Sequence, residues 1–267
     1  MCLKRGLSMR RGMVGCWGVR NQIEVTVDRW AAWAPGVESP SDWQQWARGE
    51  RSFGPMDAKP DVSFVKPIVR RRLSRLSRMS LEVAEGCRVN ETAPFYVFCS
   101  RFGECTRTLE ALNGLVRGEP ISPTVFSQSV HNTSAGHYTI NNKDQAPTTT
   151  VAAAEATLEA GFLEAWTALE SGKASRVLVV YHDEPLAEPF KKPAPVLDIP
   201  LAAAFVIGLP KPGDRLSLSW KPCSDPQPEK HALAEHPVLS VLRLVMGGPE
   251  RVRVPTRRLS WEWQRLV

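Results

Sequence analysis

The stretch NTSAGHYTINNKDQAPTTTVAAAEATLEAGFLEAWTALESGKASRVLVVYHDE, residues 132–184, decides how the rest of the chain is read. A threonine-rich run ends in Ala152, Ala153 and Ala154, and Ala156 follows, so minimal side chains surround a single carboxylate, Glu155. That crowding of small residues suits a sharp strand-to-helix turn where another backbone or a substrate comes close. Beyond it, Leu158, Phe162, Ala165, Trp166 and Leu169 recur at helical spacing, and Gly161 and Ala168 permit close packing. The pattern predicts a central helix from about Glu155 to Ser171. The dipole of such a helix favours an anion in its first turn by about 0.3–1 kcal/mol.

Working outward, RVLVVYHDE (176–184) and LAAAFVIGL (201–209) read as strands buried on both faces, and PFYVFCS (94–100) as a third. Upstream, IEVTV (23–27) alternates as a strand before a turn at Pro35 and Gly36, and residues 39–49 form a short helix capped by Ser41 or Asp42 and stopped by Gly49. A longer helix is expected over 69–86, with Val69, Leu73, Leu76, Met79 and Val83 on one face and Arg70, Arg71, Arg72, Arg75 and Arg78 on the other. Another is expected over 106–118. Strands interleaved with helices give an α/β layered domain with a covered sheet. Trp30, Trp33, Trp43 and Trp46 belong to its core rather than to a stacking platform for bases. Residues 23–267 are read as a single domain, with 210–237 proline-rich and loosely ordered before a helix at 237–248 and a last strand at 258–267. Residues 1–22 read as a disordered leader or a start codon placed too early.

Composition narrows the class. The 267 residues are 43% hydrophobic and 23% charged, ordinary for a globular chain. The formal net charge of +6 sits at the ends, in Lys4, Arg5, Arg10, Arg11 and Arg20 and in the arginines from Arg243 onward. The body is slightly acidic, so no track for a phosphate backbone, and hence no nucleic-acid partner, is expected. The longest apolar run, 201–209, is too short for a bilayer and residues 1–22 lack a secretory apolar stretch, so no membrane span and a cytoplasmic location are expected. The six cysteines show neither CxxC spacing nor a histidine cluster, which argues for reduced thiols without a zinc site or disulfide framework. Nucleotide, metalloprotease and serine-hydrolase motifs are missing, so neither cofactor nor metal is expected. A hydrolytic metal site from His131, His137, His182 and Asp183 would need the fold to gather them, which their spacing does not require.

Residues 132–184 resemble the nucleophile region of the β-ketoacyl synthases of the thiolase superfamily. That family shows an Asn followed by Ala-Gly, a Gly-Pro, a strand ending in Thr-Ala-Cys, a buried helix, and a Gly-containing turn into a strand ending in Gly-Gly-x-Glu. Asn132, Ala135, Gly136, Pro147, Ala154, Ser171, Gly172 and Glu184 fit the pattern, and RRRLSRLSRMSLEVA (70–84) is similar to the arginine-rich helix before the family's first core strand. The resemblance spans about residues 60–210. It implies a thiolase-like layered fold, N-terminal half only, with a mixed sheet, a buried central helix and covering helices. Two departures bear on function. Glu155 stands where the family carries its acyl-accepting cysteine, and a carboxylate cannot form the thioester that condensation requires. The family's two active-site histidines belong to a second half of the fold, and this sequence has neither segment that carries them. Tyr181 and His182 also replace the paired glycines.

The resemblance therefore implies a chain-length-factor-like subunit with no catalytic residue of its own. Its partner is a full-length β-ketoacyl synthase, joined as a heterodimer through the strand before the elbow. The pair condenses malonyl units on an acyl carrier protein, as in bacterial aryl polyene and fatty-acid-like biosynthesis. Phe126, His131, Asn132, Thr149 and Phe162 are the tunnel or interface candidates, and Arg70, Arg71, Arg72, Arg75 and Arg78 the carrier-protein docking candidates. Glu155, buried at a subunit contact, is expected to need an Arg, Lys or backbone N–H beside it. Two other classes stay open: a stand-alone acyl-thioester enzyme using Glu155 as general base, and a regulatory or scaffolding paralogue that contacts no acyl chain.

Overall fold

The computed structural model describes residues 21–88, 94–190, 198–223 and 236–266. The chain runs β1 (Gln22–Trp33), α1 (Pro40–Ala47), α2 (Pro67–Arg70), α3 (Arg75–Gly86), β2 (Phe95–Cys99), α4 (Cys105–Val116), α5 (Pro123–Ser127), α6 (Thr133–Asn142) and β3 (Thr148–Val151). A 3-10 turn, Ala154–Ala156, then leads into α7 (Thr157–Glu170), β4 (Val177–Asp183), β5 (Leu201–Gly208), β6 (Arg215–Pro222), α8 (Pro237–Val245), β7 (Arg251–Pro255) and β8 (Leu259–Leu266). Residues 1–20 of the expected leader and 224–235 of the proline-rich segment lie outside the described residues.

The strands form one mixed sheet in the order β3-β2-β4-β5-β1-β6-β8-β7. β2 runs parallel to β3 and β4, and every other pairing is antiparallel. β1 serves two neighbours: Gln22–Val25 pairs with β6 and the rest with β5, with a register shift between Val27 and Arg29. Such an irregularity bends a strand and increases its twist. The far strands thereby turn back over α7, so that Trp263 of β8 meets Phe162 of α7 at 4.8 Å.

Alternation within the buried strands sorts the core into two layers. Val177, Val179 and Tyr181 of β4 pack with α7 and α8, whereas Leu178 and Val180 pack with α3 and α6. Helix α7 lies very close on β2, because a Cβ at Gly161 would overlap the Cys99 Sγ. Sheet, buried central helix and covering helices thus stand as the resemblance implied. Among the described residues no helix is long and apolar enough to cross a membrane.

Several local expectations are corrected. The helix expected over 69–86 is broken, because the Ser74 hydroxyl accepts the Ser77 N–H at 2.9 Å and starts α3 afresh. Val69, left on α2, is exposed. Helix α1 is capped by Ser39 in a reciprocal pair with Asp42, not by Ser41 or Asp42. The strand expected at 23–27 runs on to Trp33. Strand β6 lies within the segment read as loosely ordered, and α5, α6 and β7 were not anticipated.

Candidate functional site

The elbow is built by β3, the following alanines and the head of α7. Ser100 N–H donates to Val151 C=O at 3.1 Å, which extends the ladder to the last residue of β3. Ala154 then takes φ +49°, a left-handed conformation that costs an L-residue about 1–2 kcal/mol. Thr157 compensates. Its buried hydroxyl donates to Ala154 C=O at 2.7 Å and accepts the Ala153 N–H at 3.0 Å. Glu155 projects from this tied turn into solvent, between exposed Ala154 and half-buried Ala156. Among the described residues no donor reaches its carboxylate, so in the single chain it is neither buried nor paired. Two of the described thiols are poor nucleophiles, because burial raises Cys99 and pushes Cys87 up to about 12.

The elbow sits beside an open sheet edge. Of the two edge strands, β7 carries exposed Arg251 and Arg253, both paired with Glu262, and ends in Pro255. Charges and proline of this kind discourage strand addition. Edge strand β3, sequence TTTV, has neither. The helices leading to it are apolar on the outside. In α4 only Gly114 is buried, while Leu112, Leu115 and Val116 are exposed, Val116 at 88%. Phe126 of α5 and Ile140 of α6 follow at 65% and 78%. More than half of the large exposed hydrophobic side chains in the described residues lie between Phe102 and Ile140. Apolar exposure is thus concentrated in the segment that leads to β3.

Behind this surface, at the end of β4, lies a buried polar network. Asp183 accepts from Ser100 Oγ (3.0 Å), Tyr181 Oη (2.6 Å), Arg101 Nε (2.7 Å) and the Arg101 backbone N–H. Glu184 accepts from Arg75 Nε at 2.8 Å and Thr106 Oγ1 at 3.1 Å. Tyr181, at a position where the resemblance implied glycine, therefore anchors this network. Beside it His182 is buried among apolar groups, both ring nitrogens unpartnered among the described residues, and burial lowers its pKa to about 4. His182 and Asp183 point to opposite faces of β4, and no cluster of metal-ligating groups forms among the described residues.

The sequence-derived candidates separate into two depths. Phe126 and Asn132 are exposed, and Thr149 is half-buried on β3. His131 is half-buried, with Nε2 2.8 Å from Ser100 C=O and its ring against Gly103. Phe162 is instead fully buried between Phe205 and Trp263. Among the arginines, Arg75 is held by Glu184 and the Met56 carbonyl, and Arg78 by the Pro60, Asp61 and Arg70 carbonyls. Arg71 and Arg72 face solvent, and Arg70 is partly exposed.

Two residues escaped the sequence reading. Thr157 could have been found as a hydroxyl at the head of a helix. Glu159 lies three residues before Phe162 on the buried stripe. It is fully buried, its Oε1 accepts from Trp263 Nε1 at 3.0 Å, and burial raises its pKa to about 7.

The model for the β-ketoacyl synthase N-terminal domain matches residues 43–264. Among solved structures, a ketosynthase (ApeO) in complex with its chain length factor (ApeC) from Xenorhabdus doucetiae is similar at 25% identity and TM-score 0.77, over 91% of this chain and 100% of the matched one. The ishigamide ketosynthase/chain length factor is similar at 16% identity and TM-score 0.61, over 77% and 69%. AntDE:AntF, a type II PKS acyl-carrier protein in complex with its ketosynthase bound to the hexaketide, shares the fold at 10% identity and TM-score 0.65, over 90% and 99%. No curated protein matches by sequence.

Proposed function

Because this chain belongs to the β-ketoacyl synthase N-terminal domain family, we propose that it is a non-catalytic, chain-length-factor-like subunit that pairs with an intact synthase and bounds its acyl tunnel. One observation carries the reading. An unprotected edge strand, flanked by an apolar helical surface, ends in an elbow whose exposed residue is Glu155 instead of a thiol. A carboxylate there cannot hold an acyl group as a thioester. The edge and the apolar surface, however, are what pairing through strand addition needs. The ketosynthase and chain length factor complex contains a chain that this one covers in full, which supports a subunit that pairs with a synthase.

In this reading the partner holds the growing acyl chain on its cysteine and performs the decarboxylative condensation. The present subunit contributes bulk. Phe126 and His131 are the proposed wall, Thr149 on β3 and Asn132 at the head of α6 are the proposed interface residues, and Phe162 acts from the core by fixing where α7 stands. The acyl carrier protein reaches the complex by an acidic face. The proposed docking cations narrow to Arg71 and Arg72, since Arg70, Arg75 and Arg78 are engaged within the chain.

The test is reconstitution of a full-length synthase and carrier protein with and without this chain. Its addition is expected to change product length and leave this polypeptide free of acyl groups. Turnover of acyl thioesters by the purified chain alone would instead favour a stand-alone enzyme.

A further inference from the structure

We propose that Thr157 holds Glu155 as a preorganised anionic contact, so that the elbow accepts only a partner surface presenting a cation or hydrogen-bond donor opposite the carboxylate. The inference rests on the pairing reading above and adds to it the chemistry by which a partner is recognised.

Ala154 is left-handed, a conformation that an untied alanine leaves readily. One hydroxyl spans it, accepting from the residue before and donating to the carbonyl of Ala154 itself. Thr157 is 1% exposed, so water does not compete for either bond. On the outer side, exposed Ala152 and Ala154 have only methyl groups and leave the Glu155 side chain standing clear. The turn follows directly from open strand β3, so any element that adds to this edge carries its own groups past Glu155.

Two physical consequences follow. A carboxylate on a loose turn would lose backbone as well as side-chain freedom on pairing, and the hydroxyl tie removes the backbone share beforehand. A partner without a donor would strand the carboxylate away from water, which is strongly unfavourable, so the same residue that welcomes one surface rejects others.

The experiment uses the full-length synthase that co-purifies with this chain from its native host, identified by the peptide bearing its active-site cysteine. Its affinity is measured for wild type, Thr157→Val, Thr157→Ser, Glu155→Ala and the Glu155→Ala/Thr157→Val double variant. Thr157→Val is expected to weaken pairing about tenfold, and Thr157→Ser to stay near wild type because it keeps the hydroxyl. In the Glu155→Ala background, Thr157→Val is expected to lose nothing more, the non-additivity of residues acting through one another. Ala154→Gly/Thr157→Val provides a second route should Thr157→Val fail to fold. Glycine accepts the positive φ without strain, so this variant should fold without the hydroxyl tie, yet its untied elbow should pair several-fold more weakly than Ala154→Gly alone, which keeps the tie. Additive losses in Glu155→Ala/Thr157→Val, or equal pairing by Ala154→Gly and Ala154→Gly/Thr157→Val, overturn the role of Thr157. If no synthase is recovered, the pairing reading and this inference fail together, whereas recovery with additive losses sinks only the inference.

Discussion

Replacing Glu159 with glutamine is expected to stabilise the protein at pH 8 and to change little at pH 5. The carboxylate is fully buried, Oε2 has no partner among the described residues, and Trp263 Nε1 donates to Oε1 at 3.0 Å. Burial moves its pKa from the ordinary 4.5 to about 7, despite the opposing hydrogen bond from Trp263. The folded state therefore keeps a proton that the unfolded chain has already released. Stability is full below the unfolded value and falls as pH rises through the folded one. At 1.4 kcal/mol per tenfold change in proton affinity, the loss by pH 8 is ~3 kcal/mol. Glutamine has the shape of the protonated acid, still offers Trp263 an acceptor, and cannot ionise. For a chain of this size each kcal/mol moves the melting temperature by about 2–4 °C, so the variant should melt ~6–12 °C above wild type at pH 8. Thermal unfolding of both proteins across pH 5–8 at constant ionic strength reads this directly. A difference that does not change with pH, or one that grows toward low pH, would refute the reasoning.

In the Glu159→Gln background the remaining pH dependence should run the other way. His182 and His236 are held neutral by burial down to about pH 4, from an ordinary 6.5. Stability should hold above pH 6.5 and fall as pH drops toward 4, by ~1.4 kcal/mol per pH unit for each histidine in acid-titrated melts. Gly161→Ala should cost ~1–3 kcal/mol in denaturant titrations through the clash with Cys99 Sγ, with part recovered in Gly161→Ala/Cys99→Ala. Val116→Asp and Ile140→Asp, at positions exposed in the single chain, should shift its stability by no more than ~0.5 kcal/mol while abolishing co-purification of a synthase. Intact pairing in both would remove the apolar surface from the interface.

The central segment was legible because its physics is local. Alanines around Glu155 announce a tight turn, and the stripe from Leu158 to Leu169 announces a helix, which the structure places as α7. Strands β4 and β5 were legible for the same reason: their apolar runs leave no polar face. What the sequence hid depends on three dimensions. Ser74 looks like any residue inside an amphipathic run until its hydroxyl is seen to cap α3. Strands β6 and β7 have partly exposed faces and proline neighbours, so their pairing with β8 decides them rather than their composition. At the site, Glu155 is found by its position, and its burial is expected only at a subunit contact, so in the single chain it stands in solvent. Its exposure follows from the open β3 edge, which only the strand order reveals. Phe162 and Phe126 carry the same side chain in apolar company, and nothing local tells that one is sealed in the core and the other stands in solvent.

Product chain length, read by mass spectrometry from the complex of a full-length synthase with either wild-type chain or Phe126→Ala, probes the central claim most directly. If this subunit is a wall for its partner's tunnel, truncating Phe126 should lengthen the products while assembly and turnover persist. Identical product distributions from an intact complex would contradict it.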